Sequence, residues 1–443
     1  MTNELIDVEI GEEFARRRHI VEVLHDAFAP LMIADPRAFR KRFHKMAADP
    51  FAFYRGSAPL FYADVVEAES PVVGSGPCDI WIQGDLHAEN YGTYLNANGL
   101  LVFDVNDFDE AYLGPFWWDL ERMAASLALI GFAKAFSDDT IKEMIAVFVR
   151  AYASQVHRFA TGADREFSLS LASVQAPLRA VLNEAGAQSR SAFLDAATIR
   201  EHGGRRFRAG PGVRVLDDAE RQVVVHAYVD YLETVPKVTR ASASISFTVK
   251  DVVARSGLGI GSAGLSVYSL LVEGRTQALD DDVILSMKQG NVAALSRVVS
   301  DDAIRSYFKH DGHRTAMSQR ALQSPADPWL GYTEIQGLGY VVQEISPYTN
   351  DLSWDELVHP DDVFVVLEDL GRAAAKAHCL CDTVVDERLA GPRVISAISA
   401  AIGDPLGPFV ARVVDLGLDY GRRARCDHRL FVDAFRNGDF ADL

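Results

Sequence analysis

Long apolar runs are missing from this chain. A bilayer-spanning helix needs roughly 20 apolar residues in a row, and the longest apolar helical stretch, Met123 to Phe136, is shorter and carries Lys134. The opening residues, MTNELIDVEIGEEFARRRHIVEVLHDAF, lack both the apolar core and the small-residue cleavage site of a signal peptide. No membrane partner is expected, and the expected location is cytoplasmic. Cysteine is scarce: Cys78, Cys379, Cys381 and Cys426 are too few and too irregularly spaced for a disulfide framework or a zinc site. Positive charge is in deficit, with 44 Lys and Arg against 62 Asp and Glu and a formal net charge of -18, so no nucleic-acid partner is expected. Internal repeats and low-complexity tracts are also absent, which excludes a solenoid.

Core material is plentiful. Of 443 residues, 49% are hydrophobic, enough for two or three packed lobes. Residues 1–240 carry mostly helical periodicity, 241–347 are strand-like, and 348–443 return to helix. In the first region, Cys78 to Gln83 and Leu100 to Val105 read as a buried strand pair. The helix after them presents Leu120, Met123, Ala124, Leu127 and Ala128 on one face and leaves Glu121 and Arg122 off it. In the second, Ser246 to Ala254, Leu265 to Val272, Val283 to Lys288 and Gly339 to Ile345 read as strands around a helical interval near 291–324. In the third, Val366, Leu370, Ala373, Ala374 and Ala377 recur at helical spacing up to His378. The expected class is α+β, a small mainly β lobe between helical ones.

Polar groups concentrate where two strands end, in Gly84-Asp85-Leu86-His87-Ala88-Glu89-Asn90 and in Asp104-Val105-Asn106-Asp107-Phe108-Asp109. Phosphoryl transfer needs a carboxylate to take the nucleophile's proton and hard oxygen ligands for Mg²⁺, because positioning and charge stabilisation carry most of the catalysis. Asp85 suits the first task; Asn90 and Asp107 suit the second. The Asp-x-x-x-x-Asn spacing is that of a kinase catalytic loop, with a second carboxylate one strand further on. The competing reading makes Asp85 and Asn90 turn caps and the Asp104, Asp107 and Asp109 set a solvated acidic loop. His87 is assigned a positioning role through hydrogen bonds.

Gly84 to Asn90 resembles the GDLHxxN loop of aminoglycoside phosphotransferase and choline kinase-like enzymes, and Asn106 to Asp109 resembles their metal-binding segment. Downstream, Gly114-Pro115-Phe116-Trp117-Trp118-Asp119-Leu120 is similar to the turn and Trp-Asp-Leu of that superfamily, which favours Asp107 over Asp104 and Asp109 as the metal carboxylate. By the same resemblance Asp119 is the buried acceptor of catalytic-loop amides.

Gly257-Leu258-Gly259-Ile260-Gly261-Ser262-Ala263-Gly264 lies between strand-like runs, where glycines can close a backbone over phosphates without Cβ interference. A dinucleotide-binding reading needs a helix next, and Leu265 to Val272 reads as a strand. Lys288 ends the following strand and is the candidate phosphate contact. Kinases orient this lysine with a helical glutamate, yet residues 291–324 contain no Glu. Gln319, Asp301 and Asp302 are the alternatives. Gly339 to Pro347 resembles the strand entering a kinase hinge, with backbone groups near Glu344 placed for adenine.

In this chain the catalytic loop precedes the glycine loop and lysine, the reverse of ordinary kinases, so it resembles a circularly permuted, bilobal kinase-like fold. With Met46 and Pro50-Phe51-Ala52-Phe53-Tyr54-Arg55-Gly56 added, the pattern is similar to a bacterial family catalogued as domain of unknown function 2252. Arg55, flanked by aromatics, reads either as an anion contact or as a structural arginine. The resemblance implies an ATP- and Mg²⁺-dependent phosphotransferase acting on a hydroxyl of a small molecule or protein. AMP transfer from the same site and a non-catalytic ATP sensor are the alternatives. Arg200, Arg205, Arg206 and Arg208 form a basic cluster that either meets an anionic acceptor or is simply solvated.

Overall fold

The structure, a computed structural model, describes residues 3–68, 79–164, 166–235, 247–256, 264–274, 276–323, 325–379 and 394–440. Four helices open the chain: α1 (Asn3–Ala34), α2 (Pro36–Met46), α3 (Pro50–Gly56) and α4 (Ala58–Glu67). Asp35 and Asp49 start α2 and α3 by accepting the N–H of Ala38 and Ala52 at 2.9 and 2.8 Å, and a proline follows each cap.

Strand β1 (Asp79–Ile82) pairs with β4 (Tyr112–Pro115), while β2 (Tyr91–Leu95) and β3 (Leu101–Val105) form a hairpin between them. The expected pairing of the first and third of these strands is therefore corrected. Turn chemistry decides it: Gly99 takes φ +75°, and Asn96 Oδ1 accepts the N–H of Asn98 and Leu100 at 3.0 Å each, so β3 pairs with its immediate predecessor. Helix α5 (Phe116–Ala133) follows, then α6 (Asp138–Ala160). Glu121 and Arg122, expected off the core face, are 5% and 0% exposed. The reason is that α5 is covered on further sides: the Arg122 guanidinium lies 4.3 and 5.2 Å from the ring centroids of Tyr54 on α3 and Phe61 on α4, and Glu121 lies beside Leu416 and Tyr420 of the C-terminal helix.

Next come α7 (Ala176–Gly186), α8 (Arg190–Ala197), a hairpin of β5 (Thr198–Glu201) and β6 (Gly204–Phe207), β7 (Val213–Val215) and α9 (Asp218–Leu232). The large sheet is built from β8 (Val249–Arg255), β9 (Val267–Val272), β10 (Val283–Gln289), β11 (Gly331–Ile335) and β12 (Leu338–Glu344), with α10 (Asp302–Tyr307) and α11 (Asp311–Leu322) between β10 and β11. Its order is β11-β12-β10-β9-β8-β7, antiparallel throughout. Two strands thus join the four expected ones: β7 and β11. Helix α9 covers one face, where Val224, Tyr228 and Tyr231 pack with Leu270, Leu285 and Val342. Helix α8 lies on the other, Leu194 meeting Leu271 and Ile284.

The chain ends in α12 (Pro360–Cys379), α13 (Val394–Ile402) and α14 (Gly407–Asn437). Helix α12 lies close on α6: a Cβ at Gly371 would come within 2.4 Å of Phe148 O. Among the described residues no single helix is long and apolar enough to cross a membrane; α13 and α14 together reach that length and composition but bend by 85° at their junction. Mixed helix and sheet, with mainly antiparallel strands segregated from the helices, is an α+β arrangement.

Candidate active site

The loop after β1 is held from below by Asp119, which is wholly buried near the start of α5. Its carboxylate accepts the N–H of Gln83 at 2.7 Å and of Gly84 at 2.9 Å. Because a carboxylate only accepts, His378 Nε2, 3.1 Å away, is the donor, and His378 Nδ1 then accepts from Tyr152 O–H at 2.9 Å. Gly84 takes φ +80° and sits so near Glu110 O that a Cβ would lie 2.2 Å from it, a position only glycine fills without strain.

Asp85 turns its carboxylate to Arg122 on α5 in an ion pair. Arg122 also donates to Tyr54 O at 3.0 Å, lies 4.3 Å from the Tyr54 ring centroid, and its own carbonyl accepts from Tyr54 O–H at 2.9 Å. Burial pushes the Asp85 carboxyl up to about 6, against the pull of Arg122. The sequence reading missed Arg122. A Glu-Arg pair inside an otherwise apolar helix was the available signal, since a buried charge requires a partner.

His87 is buried, and burial holds it neutral well below the usual histidine range. Its Nδ1 accepts from Glu89 N–H at 3.2 Å and its Nε2 lies 4.0 Å from Asp85 Oδ2. Asn90 Nδ2 donates to Asp85 O at 2.9 Å, its N–H donates to His87 O at 2.9 Å, and its carbonyl accepts from Asn106 N–H at 3.0 Å. The loop is stitched in this way to the turn after β3. Trp354 Nε1 adds a bond to Ala88 O at 2.8 Å.

In that turn Asp107 adopts φ +53°. Burial raises its carboxyl, the charge of Asp109 adds to the rise, and Lys288 and the Asp109 N–H oppose it. Lys288, at the end of β10, forms an ion pair with Asp109. Burial would push the ammonium down, but Asp109 and Asp107 more than offset that and hold it protonated. The lysine's partner is thus Asp109. Gln319 instead donates to Gln323 at 3.0 Å, Asp301 caps α10 by accepting from Ala303 N–H at 2.7 Å, and Asp302 points into solvent near Arg305. A cavity of about 320 Å³ runs from Asp107, Asp109 and Lys288 past Gln319 to Gln343 and Glu344.

The family model for "Uncharacterized protein conserved in bacteria (DUF2252)" matches residues 34–434. The chain belongs to that family. No curated protein and no solved structure matches it. The span common to the DUF2252 family holds Asp85, Asn90, Asp107 and Lys288 as well as the supporting Asp119, Arg122 and His378.

The remaining candidate residues of this DUF2252 chain have partners of their own. Asp104 faces the core: it pairs with Lys376 of α12 and accepts from Val105 N–H at 2.9 Å. Glu344 pairs with Arg190 at 2.6 Å, and its N–H goes to Asp327 at 3.0 Å; burial and the Glu344 charge push Asp327 up to about 7. Arg55 pairs with Glu89. Gly264 lies at φ +79° against Leu31 of α1, whereas Gly257, Gly259, Gly261 and Ser262 fall outside the described residues. In the basic cluster, Arg200 and Arg205 both reach Asp280, at 2.7 and 2.8 Å, Arg206 lies 3.8 Å from Glu201, and Arg208 donates to Asp195 O at 2.9 Å.

Proposed function

We propose that this chain is an ATP- and Mg²⁺-dependent phosphotransferase acting on a hydroxyl of a small molecule or protein, on a circularly permuted, bilobal kinase-like fold. The observation that carries the reading is the convergence on one cavity of a strand-end lysine, Lys288, with the carboxylates of Asp109 and Asp107, next to a loop bearing Asp85 and Asn90. Kinases place their lysine on a strand of an antiparallel sheet and their metal ligands on the catalytic-loop Asn and a following Asp. Here Asp109 answers the lysine from the metal side, which accounts for the missing helical Glu.

The donor set fits Mg²⁺. Asn90 commits its Nδ2 to Asp85 O, which leaves Oδ1 as its accepting end, and Asp107 adds a carboxylate that lines the cavity; both are hard oxygen ligands. Asn90 and Asp107 would hold the metal, which would supply charge neutralisation to the phosphates. Lys288 would hold phosphate oxygens, the hinge backbone beyond Glu344 would hold adenine, and Asp85, kept in place by Arg122, would accept the hydroxyl proton. The permutation is supported by distance: His378, at the end of α12, bonds the same Asp119 that holds the residues following β1.

The test uses ATP labelled separately at the γ- and α-phosphates, with Mg²⁺, protein and cell-extract metabolites, alongside Asp107→Ala. Transfer of γ-label that Asp107→Ala abolishes is expected. Transfer of α-label assigns AMP transfer instead, binding without transfer assigns the sensor, and absence of ATP binding removes the nucleotide reading.

A further inference from the structure

Arg55 is held at the rim of the site by an unusually constrained helical turn. Phe53 and Tyr54 before it are buried, the first packed on Phe431 and the second bonded to Arg122 O. Gly56 after it presses on Met46, whose Cγ would lie 2.5 Å from an added Cβ. These neighbours fix the α3 backbone and leave the Arg55 side chain, 36% exposed, on the side facing the loop that carries Asp85. There it pairs with Glu89 of that loop, and the Phe51 ring beside it packs edge-on against His87 at 5.9 Å, so the guanidinium stands at the edge of the loop that carries the base.

Its resting partner is weakly committed. Glu89 belongs to the same loop and is 38% exposed, and water-exposed pairs of this kind exchange readily. The Arg55 Nε–H is buried with no acceptor, a donor that the resting arrangement leaves unused. The ring of Phe51, 6.0 Å from the guanidinium, supports it from the side. Lys288, by contrast, is already engaged by Asp109.

We propose that Arg55 is a catalytic residue, an arginine finger supplied by the same chain, which leaves Glu89 and lays its guanidinium on the phosphoryl group in transit. The inference rests on the phosphotransferase reading above. In the step, the acceptor hydroxyl oxygen bonds to the γ-phosphorus of the nucleoside triphosphate as the bond to the β,γ-bridging oxygen breaks. The hydroxyl proton passes to Asp85, and the electron pair of the broken bond leaves with the nucleoside diphosphate. Arg55 forms no bond; it neutralises charge on the equatorial oxygens, where such a group is effective because the transition state spreads its charge there.

The experiment needs no acceptor. ADP with Mg²⁺ is titrated calorimetrically into native protein, Arg55→Ala, Arg55→Lys and Glu89→Gln, with and without aluminium fluoride, which mimics the planar phosphoryl group. Native protein is expected to bind ADP about 100-fold more tightly or better with the fluoride present, since transition-state mimics gain by that order. Arg55→Ala should lose most of that gain at unchanged ADP affinity and melting temperature, Arg55→Lys should keep a small part, and Glu89→Gln should keep or enlarge it. An Arg55→Ala protein that retains the gain overturns the inference, as does one whose ADP affinity falls in step with it. Native protein that binds ADP without any gain overturns the inference alone; native protein that binds no ADP overturns it together with the nucleotide reading.

Discussion

Arg122, wholly buried on α5, holds the carboxylate of Asp85 in an ion pair at the mouth of the β1 loop. Each charge sits where water cannot compensate it, so each depends on the other. Removing only the cation strands a buried carboxylate, which typically costs about 3–5 kcal/mol. Arg122→Met should therefore lower unfolding free energy in urea by that amount, and adding Asp85→Asn should recover a large part of it. Simple additivity of the two changes would mean the pair is not coupled.

Asp119 satisfies two backbone donors at once. Asp119→Ala leaves the N–H groups of Gln83 and Gly84 without an acceptor, at about 1–3 kcal/mol for each buried group. Amide exchange at those two residues should accelerate in the variant while amides of β8 to β10 keep their native protection. Equal acceleration throughout the chain would show a global effect instead.

Glu110 accepts from Ala294 N–H at 2.5 Å, and burial raises its carboxyl from 4.5 to about 7. Below 4.5 it is protonated folded and unfolded alike; between 4.5 and about 7 the unfolded chain loses the proton that the folded chain keeps. The unfolded state then binds fewer protons, so this contribution to stability declines as pH rises through the window. Asp85 and Asp109 push in the same direction, and Arg314 opposes them. Glu110→Gln, which preserves an acceptor for Ala294, should flatten the decline in unfolding curves taken on either side of the window.

Lys288 lines the cavity proposed to take the phosphates. Lys288→Met should weaken Mg²⁺-ATP binding by about 10–150-fold, the equivalent of roughly 1.5–3 kcal/mol for hydrogen bonds to a charged group. Titration of nucleotide into native and variant protein checks this, and unchanged affinity would move the phosphates away from Lys288.

The polar loops were legible because Asp85, His87 and Asn90 crowd a strand end, and Asn106 to Asp109 crowd another, with the Asp-x-x-x-x-Asn spacing of a catalytic loop. Strand stretches showed through apolar runs, but their partners did not: β1 pairs with β4 because the Asn96–Gly99 turn claims β3 for β2. Arg122 was hidden because helical periodicity assigns one buried face, whereas α5 has neighbours on two sides. Asp109 as the partner of Lys288 was hidden for a related reason: 179 residues separate them, and no local pattern reports so distant an encounter. Strands β7 and β11, too short and too polar to announce themselves, are recruited by the exposed edges of the sheet they extend.

The polar anchors of the β1 loop have a temporal meaning. Trp354 and His378 reach Ala88 and Asp119 across 266 and 259 residues. At a synthesis rate of about 5–20 residues per second, roughly 13–60 seconds pass between the emergence of Asp85 and the arrival of those groups. A nascent chain on the ribosome therefore carries the loop and Asp119 but not the His378 that Asp119 binds, and any fragment that stops short of α12 does the same. The loop's set of hydrogen bonds is therefore complete only after α12 has been made.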